Sequence, residues 1–382
     1  MAVVMNASHF LLDARLADDC SDYYCNHSSP HKPSDPSHQI LMTRNGGASF
    51  QPLYEVHGRS PWGPDSEARP FLGPCSLQIN STTWLAHYQG QIRAPWRAPV
   101  SLFSLDDDGL RHGLAERTAQ YEGIDEVCGT GHMWNQGVIT TDGGWIMSAQ
   151  CDSSSKKAIS ALIFNSTDGF VWRLMSTVPV VAGPGAAPCE SAGENTVVEM
   201  VDGNLLLVAR CGGGSPLLAW SSATRGLSWE RHVLPDAMRG VMPVAVRMDS
   251  GAIVLATGRG GLAAWLNPKG DGKEWLLTNI GARHNELVMA NKKLRGSALQ
   301  YTEAFCAFNA TRETTAYNTL RKLGPDSGVL CYDRLSSSTT PGSKDNPSWR
   351  GPPGNRDAED HIFCMRFRLK LDDEDTRRRK RT

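Results

Sequence analysis

The apolar positions of this chain fall in paired short runs split by a polar turn, and the pattern is written six times. The copies are MAVVMNASHFLLDAR (1–15), CSLQINSTTWLAHYQ (75–89), GVITTDGGWIMSAQC (137–151), TVVEMVDGNLLLVAR (196–210), VAVRMDSGAIVLATGR (244–259) and NTLRKLGPDSGVLCYDR (318–334). Each turn carries Asn or Asp beside a small residue, a combination that tolerates positive φ and closes a tight hairpin. Hairpins at intervals of roughly sixty residues predict four-stranded blades around an axis, an all-β, six-bladed β-propeller. The blades are expected at about 1–65, 68–130, 131–188, 189–238, 239–290 and 291–371. A propeller gathers the ends of its inner strands at one mouth, and four copies end in Arg: Arg15, Arg210, Arg259 and Arg334.

Residues 336–360 are poor in apolar side chains and predict a long loop inside the last blade, before a final alternating strand, HIFCMRFRLKL (361–371). The tail from 372 is a run of charge that predicts a solvated, disordered end. At 382 residues, with 40% hydrophobic residues and eleven Trp, the chain suits one large globular propeller. A formal charge of −1 argues against nucleic acid as a partner, which calls for a basic excess. No apolar run reaches the roughly 18 residues of a transmembrane segment, and the first fifteen residues read as a hairpin and not as a signal peptide. Ten cysteines are scattered without CxxC or zinc spacing, so no metal is expected. Sequons at Asn6, Asn26, Asn80, Asn165 and Asn309 permit an extracellular, lysosomal or other lumenal site and leave the cytoplasm open.

Between the hairpins lies a second repeat, TRNGGASF (43–50), NSTDGFVW (165–172), SATRGLSW (222–229) and PKGDGKEW (268–275). These segments resemble the Asp box, Ser/Thr-x-Asp-x-Gly-x-x-Trp, in which Gly turns sharply, polar side chains bond to the turn and the aromatic plugs into the blade. With the hairpins they make nearly the whole chain, Met1 to about Leu371, similar to the sialidase (neuraminidase) superfamily.

The resemblance implies a set of site residues. AYNTLRKLGPDSGVLCYDR (316–334) resembles the segment with a Tyr, a small polar residue and Leu, and places the nucleophile at Tyr317. A neutral phenol suits a sialoside, whose anomeric carbon carries a carboxylate that would repel an acidic nucleophile. GENTVVEMVDGNLLLVAR (193–210) resembles the stretch that supplies the base for that Tyr and a carboxylate-binding Arg, here Glu194 and Arg210, with Glu190 as the fallback base. Glu199 is expected on a strand surface. RGGLAAWLNPKGDGKEW (259–275) implies a second binding Arg at Arg259, ahead of Arg283 and Arg295. In LLDARLADDCSDYYC (11–25), Arg15 would line the pocket and Asp22, or else Asp19, would be the general acid/base. His284, Asn285 and Glu286 read as a surface turn or as contacts to sugar hydroxyls, and His132 and Trp134 as possible pocket walls.

The family's first triad Arg, in a F/Y-R-I-P motif, would fall before Met1; the expectation is a sequence that begins late, and the alternative is a protein that works with two arginines or not at all. The resemblance implies an exo-α-sialidase that releases sialic acid from glycoproteins, glycolipids or oligosaccharides with retained configuration and without metal or organic cofactor. Two alternatives stand beside it: a propeller enzyme acting on another acidic sugar, as a uronate glycosidase or lyase, and a carbohydrate-binding propeller whose catalysis has lapsed.

Overall fold

The computed structural model describes residues 2–4, 10–16, 37–45, 51–56, 75–78, 83–87, 91–92, 96–106, 109–111, 116–124, 127–128, 130–132, 137–152, 159–179, 193–211, 216–258, 262–292, 298–299, 318–334 and 361–370. The first sheet runs in chain order through β1 (Ala2–Val4), β2 (Phe10–Leu16), β3 (Ser37–Thr43) and β4 (Gln51–Val56). A second sheet begins with β5 (Cys75–Gln78), β6 (Thr83–His87), β7 (Gln91–Ile92), β8 (Arg97–Asp106), β9 (Gly109–Arg111) and β10 (Glu116–Glu122). It continues with β11 (Thr130–His132), β12 (Val138–Ile139), β13 (Trp145–Asp152), β14 (Ile159–Ser166) and β15 (Val171–Pro179). The third sheet is β16 (Asn195–Glu199), β17 (Leu205–Ala209), β18 (Leu218–Ser222) and β19 (Glu230–His232). The fourth is β20 (Val244–Arg247), β21 (Ile253–Thr257), β22 (Ala263–Asn267) and β23 (Leu276–Asn279). Helix α1 (Ile280–Ala290) follows, and β24 (Asn318–Gly324), β25 (Ser327–Arg334) and β26 (His361–Arg368) form the last sheet.

All six repeats are antiparallel hairpins, pairing β1 with β2, β5 with β6, β12 with β13, β16 with β17, β20 with β21 and β24 with β25. Three of their turns are built alike. Gly143, Gly203 and Gly251 sit at φ 86°, 83° and 86° and donate to the carbonyls of Thr140, Met200 and Met248. This is a type I turn closed by a left-handed residue, a conformation that costs Gly little.

The first strands of the last three hairpins stand side by side, β16 against β20 and β20 against β24, and β24 closes onto β1. That arc of innermost strands is the mark of an all-β propeller. The expected six blades need correction. Among the described residues four sheets of blade size stand alone, and the segments expected as the second and third blades share one eleven-stranded sheet. They are joined by a parallel pairing of β10 with β15, from Gln120 opposite Val171 to Glu122 opposite Arg173, and by an antiparallel pairing of β7 with β11. Each strand would otherwise leave an edge of unpaired N–H and C=O groups. Tyr121 meets Phe164 edge to face at 5.5 Å, Trp172 is fully buried beside them, and Arg173 pairs with Glu122 at 3.1 Å.

The core lies between blades. Ile163, Leu205 and Leu207 fill the space between the second and third sheets, and Leu206, Val208, Ile253 and Leu255 that between the third and fourth. Three segments with an indole close one common turn. Ser166 Oγ accepts from Gly169 N, Ser222 Oγ from Gly226 N and Asn267 Oδ1 from Gly272 N. Trp172, Trp229 and Trp275 then donate their Nε1–H to the carbonyls of those same glycines at 2.8–3.1 Å. The accepting side chain lies three, four and five residues before the Gly, so the first turn starts at Ser166, one residue after the expected Asn165, and the third at Asn267, one before the expected Pro268. In the first segment Thr43 Oγ1 donates to Asn45 Oδ1, and residues 46–50 lie outside the described ones.

Helix α1 stands where a surface turn was expected. Asn279 caps it by accepting from Ala282 N at 2.8 Å. His284, on its buried face, has Nδ1 2.8 Å from the Tyr332 hydroxyl and its ring edge-on to Phe363. This satisfied histidine anchors the helix to β25.

Candidate active site

Strand direction decides which residues share an end of the molecule. Glu194 precedes β16 and Arg210 follows β17, so both sit at the open end of one hairpin, where Arg210 N donates to Glu194 O at 3.0 Å. The next hairpin repeats the arrangement, Gly258 N donating to Val241 O at 2.9 Å. The start of β24 lies level with both, because Asn318 Nδ2 donates to Met242 O at 3.1 Å. These open ends of adjacent innermost strands form the mouth.

Two of the residues singled out in the sequence meet there. Arg210 Nη1 donates to Glu194 Oε2 at 3.0 Å, with side-chain exposures of only 14% and 8%. Met242 N donates to the same Oε2 at 2.8 Å. Glu194 Oε1 carries no hydrogen bond among the described residues. A buried carboxylate is thus oriented through one oxygen.

Arg15 is on β2, opposite His38, but its side chain lies outside the described residues. Tyr317, Asp22 and Arg259 lie outside them too, as do the lesser candidates Glu190, Asp19, Trp134 and Arg295. Tyr317 immediately precedes Asn318, and Arg259 immediately follows Gly258. His132 lies on β11. Arg283 is on the exposed face of α1, paired with Glu286 at 2.5 Å, and Asn285 ties Leu299 through two bonds.

Glu199 differs from its expectation on a strand surface. It is 5% exposed and accepts from Thr141 N, Thr141 Oγ1 at 2.8 Å and Arg247 Nη1 at 2.9 Å. It lies at the turn end of β16, opposite the mouth, and clasps three blade segments. A cavity at that end, lined by Thr141, Asp142, Asn165, Glu199 and Arg225, offers little chemistry, because the Glu199 carboxylate is already engaged on both oxygens. Tyr332, whose phenol burial pushes well above its ordinary range, is equally unsuited to act as a nucleophile. Among the described residues no three His, Cys, Asp or Glu side chains cluster to hold a metal ion, and no helix is long and apolar enough to cross a membrane.

The sequence reasoning missed Met242 and the role of Asn318. Asn318 entered only as the small polar residue after Tyr317. Met242 precedes Pro243, which signals extended backbone, whereas its φ is 47°.

No family model and no curated protein matches this sequence. Solved structures do resemble it. A Dyadobacter fermentans protein of unknown function aligns with a TM-score of 0.57 at 14% identity, over 95% of this chain and 92% of that one. Trypanosoma rangeli sialidase aligns at 0.53 and 10% identity, over 87% of this chain but 52% of its own length. An α-L-arabinofuranosidase of Fusarium graminearum aligns at 0.52 and 14% identity, over 96% and 92%. At these identities the likeness establishes the fold, an all-β propeller.

Proposed function

We propose that this chain is a propeller glycoside hydrolase that releases terminal sialic acid from glycoconjugates. The observation that carries the reading is the contact of Glu194 with Arg210 at the mouth. The two residues match the base and the carboxylate-binding Arg of the sialidase motif, and Glu194 keeps one oxygen without a hydrogen bond among the described residues. The likeness to a sialidase and an arabinofuranosidase supports a sugar substrate. The three turns closed by Trp172, Trp229 and Trp275 support the Asp-box resemblance.

In this mechanism Arg210 and Arg259 hold the substrate carboxylate and Arg15 lines the pocket. The planar fork of an Arg offers five N–H donors, enough to hold Glu194 and a second carboxylate together. Tyr317 attacks the anomeric carbon as its phenolic proton passes to Glu194 Oε1. Asp22 protonates the departing glycosidic oxygen, which leaves as an alcohol. Asp22 then takes a proton from water, the water displaces Tyr317 from the anomeric carbon, and the phenolate regains its proton from Glu194. Two inversions give retention.

The disulfides Cys128–Cys151 and Cys331–Cys364 support an oxidising compartment, extracellular or lumenal. The deciding experiment offers the purified chain an α-sialoside, an α-L-arabinofuranoside and a β-glucuronoside, each with a fluorogenic aglycone. Turnover of the α-sialoside alone supports the reading. Turnover of either other sugar, or sialoside binding without release, contradicts it.

A further inference from the structure

Met242 is the strained point of the mouth. It is one of three non-glycine residues with positive φ among the described residues, at 47°. Side chains cross into that region at a cost, and the following Pro243 biases its predecessor toward extended backbone. Such a conformation persists only where its surroundings over-determine it. Here they do so through both faces of one residue, since the Met242 N–H reaches Glu194 Oε2 at 2.8 Å and its carbonyl accepts from Asn318 Nδ2 at 3.1 Å.

Asn318 itself is 7% exposed, and its Oδ1 is buried with no hydrogen-bond partner among the described residues. A buried unpaired acceptor is unfavourable, and a leucine of similar size would avoid it. What the amide contributes in return is its N–H donor to Met242.

We propose that Asn318 and Met242 form a clasp that positions Glu194 as a proton acceptor, a role that rests on the glycosidase reading of the mouth. Asn318 holds the Met242 peptide left-handed, the peptide N–H fixes Glu194 Oε2, and Oε1 is left to receive the proton. The same amide pins the first residue of β24, directly after Tyr317. One side chain thus ties the start of β24 to the Glu194 carboxylate across three blades. Both are positioning residues and touch no substrate.

Two variants test the clasp: Asn318→Leu removes the donor without adding charge, and Asn318→Asp keeps the shape. The clasp predicts a fall in kcat of about a hundredfold with little change in KM, the scale of a misplaced catalytic group. It also predicts amide exchange at Met242, read by NMR, faster by roughly tenfold as the local structure loosens. Adding Met242→Gly, which lowers the cost of the left-handed backbone, restores part of the lost kcat. Unchanged kcat or unchanged Met242 exchange in either folded variant overturns the proposal, as does a loss that Met242→Gly only deepens. If the wild-type chain hydrolyses no glycoside, the glycosidase reading fails, and exchange at Met242 alone then decides the clasp.

Discussion

Glu194 Oε2 and Arg210 Nη1 stand 3.0 Å apart although sixteen residues separate them, because one hairpin returns the chain to its starting level. The pair is largely withdrawn from water, so removing one partner leaves the other charge uncompensated. Arg210→Met is expected to destabilise the chain by about 3–5 kcal/mol in urea unfolding, and Glu194→Gln added to it to recover much of that loss. Losses that simply add would show that the two side chains do not interact.

Glu199 lies at the other end of the same strand, about 16 Å away at the usual rise per residue. Its clasp of Thr141 and Arg247 is structural. Glu199→Gln should lower stability by about 1–3 kcal/mol and leave kcat on any glycoside unchanged. A loss of kcat without a loss of stability would move the site to the wrong end of the propeller.

Two of the indole-closed turns carry a carboxylate and one carries Thr224. Burial alone would raise the Asp168 carboxyl, but the N–H groups of Val171 and Phe170 and the Ser166 hydroxyl outweigh it and hold the carboxyl below its ordinary value. Burial would likewise raise the Asp271 carboxyl, but the Lys273 N–H, the Asn267 side chain and the charges of Lys273 and Lys269 outweigh it and hold the carboxyl below its ordinary value. A depressed carboxyl contributes stability above its unfolded value, near pH ~3.9, and loses it as pH falls through the folded value. The double variant Asp168→Asn, Asp271→Asn should therefore flatten the fall in melting temperature below about pH 4, while Thr224→Ala leaves that slope unchanged.

Cys331 and Cys364 are directly opposed on β25 and β26, and Cys128 reaches Cys151 across 23 residues. Loops of this size make a disulfide worth about 2–4 kcal/mol. Dithiothreitol should accordingly lower the melting temperature of the purified chain. If the compartment is oxidising, Asn165, exposed in the sequon Asn165-Ser166-Thr167, should carry a glycan after secretion from a eukaryotic host. Peptide mass spectrometry with and without enzymatic deglycosylation checks both the bridges and the glycan.

The hairpins were legible because alternation and Asp-Gly turns are local signals, and every one of the six copies is a hairpin in the structure. The blade count was not, since nothing near Glu116–Glu122 announces a parallel partner at Val171. Helix α1 escaped because its polar residues, Arg283, Asn285 and Glu286, look like those of a loop; the cap at Asn279 and the Arg283–Glu286 pair one turn apart were the signals available. Glu199 looked exposed because a charged residue in a strand usually is, while all five residues of β16 are buried. At the mouth, the motif singled out Glu194 and Arg210 in separate roles, and their contact follows from the hairpin that joins them. The part played by Met242 could not be anticipated, because its conformation runs against the preference of its own sequence.

The most direct measurement is release of a fluorogenic aglycone from an α-sialoside by the purified chain beside Tyr317→Phe, with folding of both checked by circular dichroism. A retaining sialidase with Tyr317 as nucleophile predicts release by the wild-type chain and a loss of kcat of several orders of magnitude in the variant. Equal release by both would contradict the nucleophile assignment, and no release by a folded wild-type chain would contradict sialoside hydrolysis itself.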